Sequence, residues 1–144
     1  MNNIYKGAMG EAMAEKYLIE KGYKILSKNC KFAGAELDIV AIYPVKTQKK
    51  DIKREYNNSE VKSKVALNCR LSALQDILVF VEVKYSSTIV FGEPMERVDK
   101  HKQKQIIKAA ELYIYKNKLN MPCRFDVVSI VGKDICHIES AFEA

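Results

Sequence analysis

The chain has 144 residues, of which 48 % are apolar and 29 % charged, and its formal net charge is +6. This length fits one domain with a single sizeable core. No apolar run approaches the ~20 residues of a spanning helix, which excludes a membrane-embedded protein, and +6 is too small to identify a polyanionic partner by itself.

The first eighteen residues, MNNIYKGAMGEAMAEKYL, carry Glu11 and Glu15 and contain no apolar stretch of the kind a secretory signal needs. A cytoplasmic location is the expectation. Cys30, Cys69, Cys123 and Cys136 form no C-x-x-C pair and their spacing suits no zinc site. They read as reduced thiols. His101 and His137 stand alone, and there is no glycine-rich phosphate loop.

In chain order, residues 4–21 are expected to form a helix with Ile4, Ala8, Ala12, Leu18 and Ile19 on its apolar face. Glu11 and Glu15 fall on the same side, and Gly22 stops the helix. Residues 23–29 alternate weakly and read as a first strand. Gly34 lies in a turn. ELDIVAIY, 36–43, is rich in β-branched residues and reads as a second strand ended by Pro44.

The polar segment 44–76 shows no clear period. It reads as a long, exposed inserted loop joining two strands. ILVFVEVKY, 77–85, is a third strand, and 94–118 a second helix with Met95, Val98, Ile106, Ala109, Ala110, Tyr113 and Ile114 on its inner face. Residues 124–131 and 135–142 are two last strands turned by Gly132, Lys133 and Asp134. Phe91-Gly92-x-Pro94 reads as a loop that fixes the start of the second helix. This order predicts an α/β fold of the α+β kind, a mixed sheet with helices packed on it.

Two strands carry charge where burial is expected. Strand side chains alternate faces, so Phe80, Glu82 and Lys84 share one face of the third strand and Glu36 and Asp38 one face of the second. If the two strands are neighbours, Asp38 lies beside Glu82. Two carboxylates ~4 Å apart repel by about 4 kcal/mol at an effective dielectric of ~20. A divalent cation offsets that better than one lysine, and oxygen ligands suit Mg²⁺ or Mn²⁺. Asp38, Glu82 and the backbone carbonyl of Val83 would be its ligands. Lys84 would act on the attacking water or on a phosphate, as in metal-assisted phosphodiester hydrolysis. The competing reading places Glu82 and Lys84 on a solvated strand face, in cross-strand ion pairs.

Taken together and in order, GEAMAEKYLIEKGYKIL, AELDIVA, LVFVEVK, FGEPMERVDKHKQ with AAELYI, and RFDVV resemble the YraN-like uncharacterised protein family. That family resembles the restriction-endonuclease-like nucleases, in particular the archaeal Holliday-junction resolvases. The resemblance covers residues 7–131 apart from the insert. It implies a restriction-endonuclease-like core of α-β-β-β-α-β order, here with an extra C-terminal strand. It also implies a metal site of Asp38 and Glu82 supported by Glu11, with Lys84 as the catalytic lysine. Lys102 matches a family lysine and is implied as a phosphate contact. The implied partner is DNA, branched DNA included, and resolvases of this type act as homodimers on two-fold symmetric substrates.

Three departures stand out. Ala35 replaces the glycine that usually precedes the strand-two glutamate, with Gly34 one place earlier. Ser86 stands where an arginine usually follows the lysine. The connection between the second and third strands is about thirty residues longer than usual. This insert holds eight Lys/Arg against four Asp/Glu, and so +4 of the +6. Lys49, Lys50, Lys53 and Arg54 are its candidate contacts to a nucleic-acid backbone. Arg124 and Asp126 are expected to pair at a strand end. The remaining lysines of the second helix, Lys100, Lys104 and Lys108, read as a solvated face. The function expected is a metal-dependent nuclease. The alternatives are a non-cleaving nucleic-acid-binding module on the same fold and a metal-free protein-interaction domain.

Overall fold

The structure, a computed structural model, describes residues 2–32, 34–87 and 98–144. Among them the chain runs through α1 (Asn3–Glu20), β1 (Lys24–Phe32), β2 (Ala35–Tyr43), α2 (Val45–Asn58), α3 (Lys64–Ser72), β3 (Ile77–Ser86), α4 (Lys100–Lys116), β4 (Cys123–Val131) and β5 (Asp134–Phe142). The five strands form one open sheet in sequential order. β3 and β4 are parallel and every other pair is antiparallel. The result is a mixed α/β fold with helices on both faces, consistent with a restriction-endonuclease-like core extended by a C-terminal strand. No helix among the described residues is long and apolar enough to cross a membrane.

Strand alternation divides the core in two. Val40, Leu78, Phe80, Phe125 and Val127 face α4, against Ile106, Ala109, Ala110 and Tyr113. Ile39, Ala41, Val79, Val81, Val128 and Ile130 face α1, against Ala14 and Leu18. Leu78 to Val81 are at most 2 % exposed, so β3 is the central strand and is anchored on both faces. The inner face expected for the second helix is observed over α4. Met95 and the Phe91–Pro94 loop lie outside the described residues.

The face expected for the first helix holds at Leu18 and is corrected elsewhere. α1 buries Gly10, Ala14 and Leu18, while Ile4 is 77 % and Ile19 53 % exposed. Backbone approach outweighs side-chain hydropathy here. A Cβ added to Gly10 would stand 2.6 Å from the Tyr85 Cβ, so the missing side chain lets α1 rest directly on β3. The turn before β2 does fall on Gly34, which has φ +79° next to the Phe32–Ala35 pair.

The insert is corrected as well. In place of an exposed loop it contains two helices. Lys, Gln, Arg and Glu are good helix formers, and few apolar residues are needed to dock α2. Ile52 is buried, and the Gln48 side-chain amide donates to the Tyr43 and Gln75 carbonyls at 2.9 and 2.7 Å. Thr47 donates to the Gly22 carbonyl at 3.0 Å, the Val45 N–H donates to Asp76 at 2.8 Å, and the Tyr43 hydroxyl donates to Asp51.

Candidate active site

The last recorded β2–β3 pair on the site side is Ile39 with Val81. One step further, the same register sets Asp38 opposite Glu82, and there the ladder gives way. Asp38 Oδ2 accepts the Val83 N–H at 2.8 Å, a hydrogen bond that a β2 backbone carbonyl would otherwise supply. The N–H and C=O of one strand residue point to the same neighbour, so the Val83 carbonyl also faces this edge. Asp38, Glu82, Val83, Lys84 and Tyr85 line one cavity of about 380 Å³ together with Asn3, Lys6, Gly7 and Glu11 of α1.

Glu82 is 5 % exposed, which sets aside the solvated-face reading. Its Oε1 lies 3.1 Å from Lys84 Nζ and 3.8 Å from Lys102 Nζ. Both cations therefore converge on one carboxylate. Lys102 is held by the N-cap of α4, where Asp99 accepts its N–H at 2.8 Å. Burial first, and then the neighbouring Glu82 carboxylate, push the Asp38 carboxyl up to about 7, with Glu11 adding to the effect. Val83 N–H and Lys102 act the other way without cancelling it. Burial beside a second carboxylate thus disfavours the charged form of Asp38.

The structure thus brings together Asp38, Glu82, Val83, Lys84, Glu11 and Lys102. Glu15 turns instead to β1, where it pairs with Lys28 at 2.8 Å. Lys49, Lys50, Lys53 and Arg54 lie on α2, beyond the other end of β2, five residues or roughly 17 Å of strand from Asp38. Lys6 was missed by the sequence reading. Only the docking of α1 through Gly10 reveals that its first turns line the cavity.

For a divalent cation the residues are of the right kind: carboxylate oxygens, a carbonyl facing the same edge, and crowding that a cation would relieve. Among the described residues, no three Asp, Glu, His or Cys side chains form a ready-made cage.

A second charged cluster sits at the other end of α1. Asp126 is fully buried in β4 and both its oxygens are shared. Oδ1 accepts from Arg124 Nε at 2.7 Å and from the Ser140 N–H at 3.0 Å. Oδ2 is 2.8 Å from Arg124 Nη2 and 2.7 Å from His137 Nε2. Burial alone would raise this carboxyl, but the His137 and Arg124 hydrogen bonds hold it below its ordinary value. The expected Arg124–Asp126 pair is present, yet it is the centre of a network. Arg124 also donates to the Tyr23 hydroxyl at 2.7 Å and lies over the Tyr43 ring at 5.3 Å.

Comparison with known proteins places this geometry in a family. The profile of the uncharacterised protein family UPF0102 matches residues 10–130. The chain belongs to that family. A UPF0102 protein of Clostridioides difficile is 39 % identical over 99 % of this chain and 100 % of its own length. One from Caldanaerobacter subterraneus is 35 % identical over 90 % and 82 %. One from Lachnoclostridium phytofermentans is 34 % identical over 100 % and 98 %. The UPF0102 match takes in every residue of the candidate site from Glu11 to Lys102.

Proposed function

We propose that this chain is a divalent-metal-dependent nuclease that cleaves a phosphodiester bond in DNA, branched DNA included. The observation that carries the reading is Asp38 set beside buried Glu82 in one cavity where the β2–β3 ladder opens, with Lys84 3.1 Å from Glu82. The fold and the family membership are consistent with it. Asp38, Glu82 and the Val83 carbonyl would hold Mg²⁺ or Mn²⁺, with Glu11 supporting them from α1. The ion supplies Lewis-acid activation of water and stabilises the charge developing on phosphorus.

The protein's own part is positioning. The Val83 N–H fixes the Asp38 carboxylate. Glu82 holds Lys84 at the cavity, where its ammonium orients the attacking water or receives a phosphate oxygen. Lys102, beside Glu82, and Lys6, at the cavity, add positive charge from α4 and α1.

One observation favours a second reading, that of a nucleic-acid-binding module without cleavage. The carboxylates form no complete metal cage among the described residues. Junction, flap and duplex DNA incubated with the protein and Mn²⁺ decide between the two. The nuclease reading expects cleavage that falls at least about a hundredfold in Asp38→Ala, Glu82→Ala and Lys84→Ala. Cleavage unchanged in these variants removes the site, and binding without cleavage selects the second reading.

A further inference from the structure

Helix α2 carries Lys46, Lys49, Lys50 and Lys53 at the i, i+3, i+4, i+7 spacing that makes one ridge. All four are exposed. The acids of this helix lie on other sides and are engaged. Asp51 accepts from Tyr43, and Glu55 is 3.3 Å from Arg70.

This arrangement is poor design for a merely solvated helix. Like charges at i, i+4 repel. Lys46 sits in the first turn, where the helix dipole disfavours cations, and no acidic residue occupies that turn. Mixed charges would keep the helix soluble without either cost. The opposite side of α2 is fixed to the core by Ile52, Gln48 and Thr47. The ridge is therefore held in place, and it has no free apolar side with which to enter a lipid surface.

We infer that the α2 ridge is a preset phosphate-binding surface for a nucleic-acid duplex. It grips the backbone away from the site that cleaves. Neighbouring lysines on a helix ridge stand about 5–6 Å apart, close enough to address successive phosphates of one strand. The inference rests on the nucleic-acid partner proposed above and adds where the backbone is held.

The test measures binding without metal, so that cleavage plays no part. Affinity for a 20-base-pair duplex, in DNA and RNA versions, is followed against salt. The comparison is the parent against the quadruple variant Lys46→Gln, Lys49→Gln, Lys50→Gln, Lys53→Gln. The slope of log K against log salt is expected to flatten by up to about 3.6, roughly 0.9 for each lost phosphate contact. The same four positions changed to Arg keep the slope. Lys104→Gln with Lys108→Gln on α4 leaves it unchanged.

A drop on either duplex supports the inference. It is overturned by an unchanged slope on both, by an equal drop in the α4 control, or by a parent that binds no duplex. Flattened binding in a protein that never cleaves keeps the ridge and removes the nuclease reading. Cleavage with an unchanged slope does the reverse.

Discussion

At Asp38, the proposed metal ligand, burial and the neighbouring Glu82 carboxylate also make protonation depend on the fold. In the unfolded chain it ionises near 3.8; in the fold its carboxyl is pushed up to about 7. Between these values the folded protein holds a proton that the unfolded chain has released, so stability from this group is greatest at low pH and falls as pH rises through the window. Asp38→Asn is therefore expected to match the parent in urea unfolding near pH 4 and to exceed it at pH 8. A proton and a cation compete for the same oxygens, so Mn²⁺ affinity in the parent should rise with pH and level off above about 7. Calorimetric titration across pH 5.5–8.5 checks this.

Asp126 has the opposite sign. Its folded value lies below 3.8, so its contribution is present above about pH 4 and is lost as pH falls through the folded value. Asp126→Asn leaves Arg124 without its buried counter-charge. It should cost about 3–5 kcal/mol in urea unfolding at pH 7. The pairing of these two residues was legible from their i, i+2 spacing. His137 was not, because it reaches Asp126 from β5, eleven residues away and across a strand pair.

At the scale of elements, α1 joins fold to function. Its inward ridge of Gly10, Ala14 and Leu18 sets how closely Glu11 and Lys6 approach the sheet. Hydropathy places Leu18 correctly but draws the face toward Ile4 and Ile19, because glycine and alanine give little apolar signal. Gly10→Ala should cost about 1–3 kcal/mol in urea unfolding, since its Cβ would meet the Tyr85 Cβ at 2.6 Å and that atom is fixed to the β3 backbone. It should also weaken Mn²⁺ binding by lifting Glu11 from the cavity. A destabilised variant with full Mn²⁺ affinity would separate the two roles of the helix. In α2 the reverse holds: a segment of polar residues reads as loop but folds as a helix. Two buried side chains and a few hydrogen bonds are enough to fix a helix whose residues favour that state.

For the whole molecule, one sheet carries two charged clusters, one around Asp38 and Glu82 beside a cavity and one packed around Asp126. If a cation joins Asp38 and Glu82 as proposed, it would bind the native state alone and stabilise it by mass action, about 2.7 kcal/mol at a hundred times its dissociation constant. Mn²⁺ should raise the melting temperature of the parent, and the rise should vanish in Asp38→Ala and in Glu82→Ala. Equal shifts in parent and variants would mean that the ion binds elsewhere.

The sequence by itself determined the strand and helix order outside the insert, the mixed sheet, and the sharing of one face by Glu82 and Lys84. Each follows from local period and composition: alternation in strands, helical spacing in α4, and charge inside a run that otherwise asks for burial. Only the tertiary structure decided which residues of α1 are inward, that Lys6 joins the site and Lys102 reaches Glu82, and that the basic insert folds as two helices, the first of them beyond the far end of β2. Those outcomes depend on close backbone approach and on side chains brought together from distant segments. Neither leaves a periodic mark along the chain.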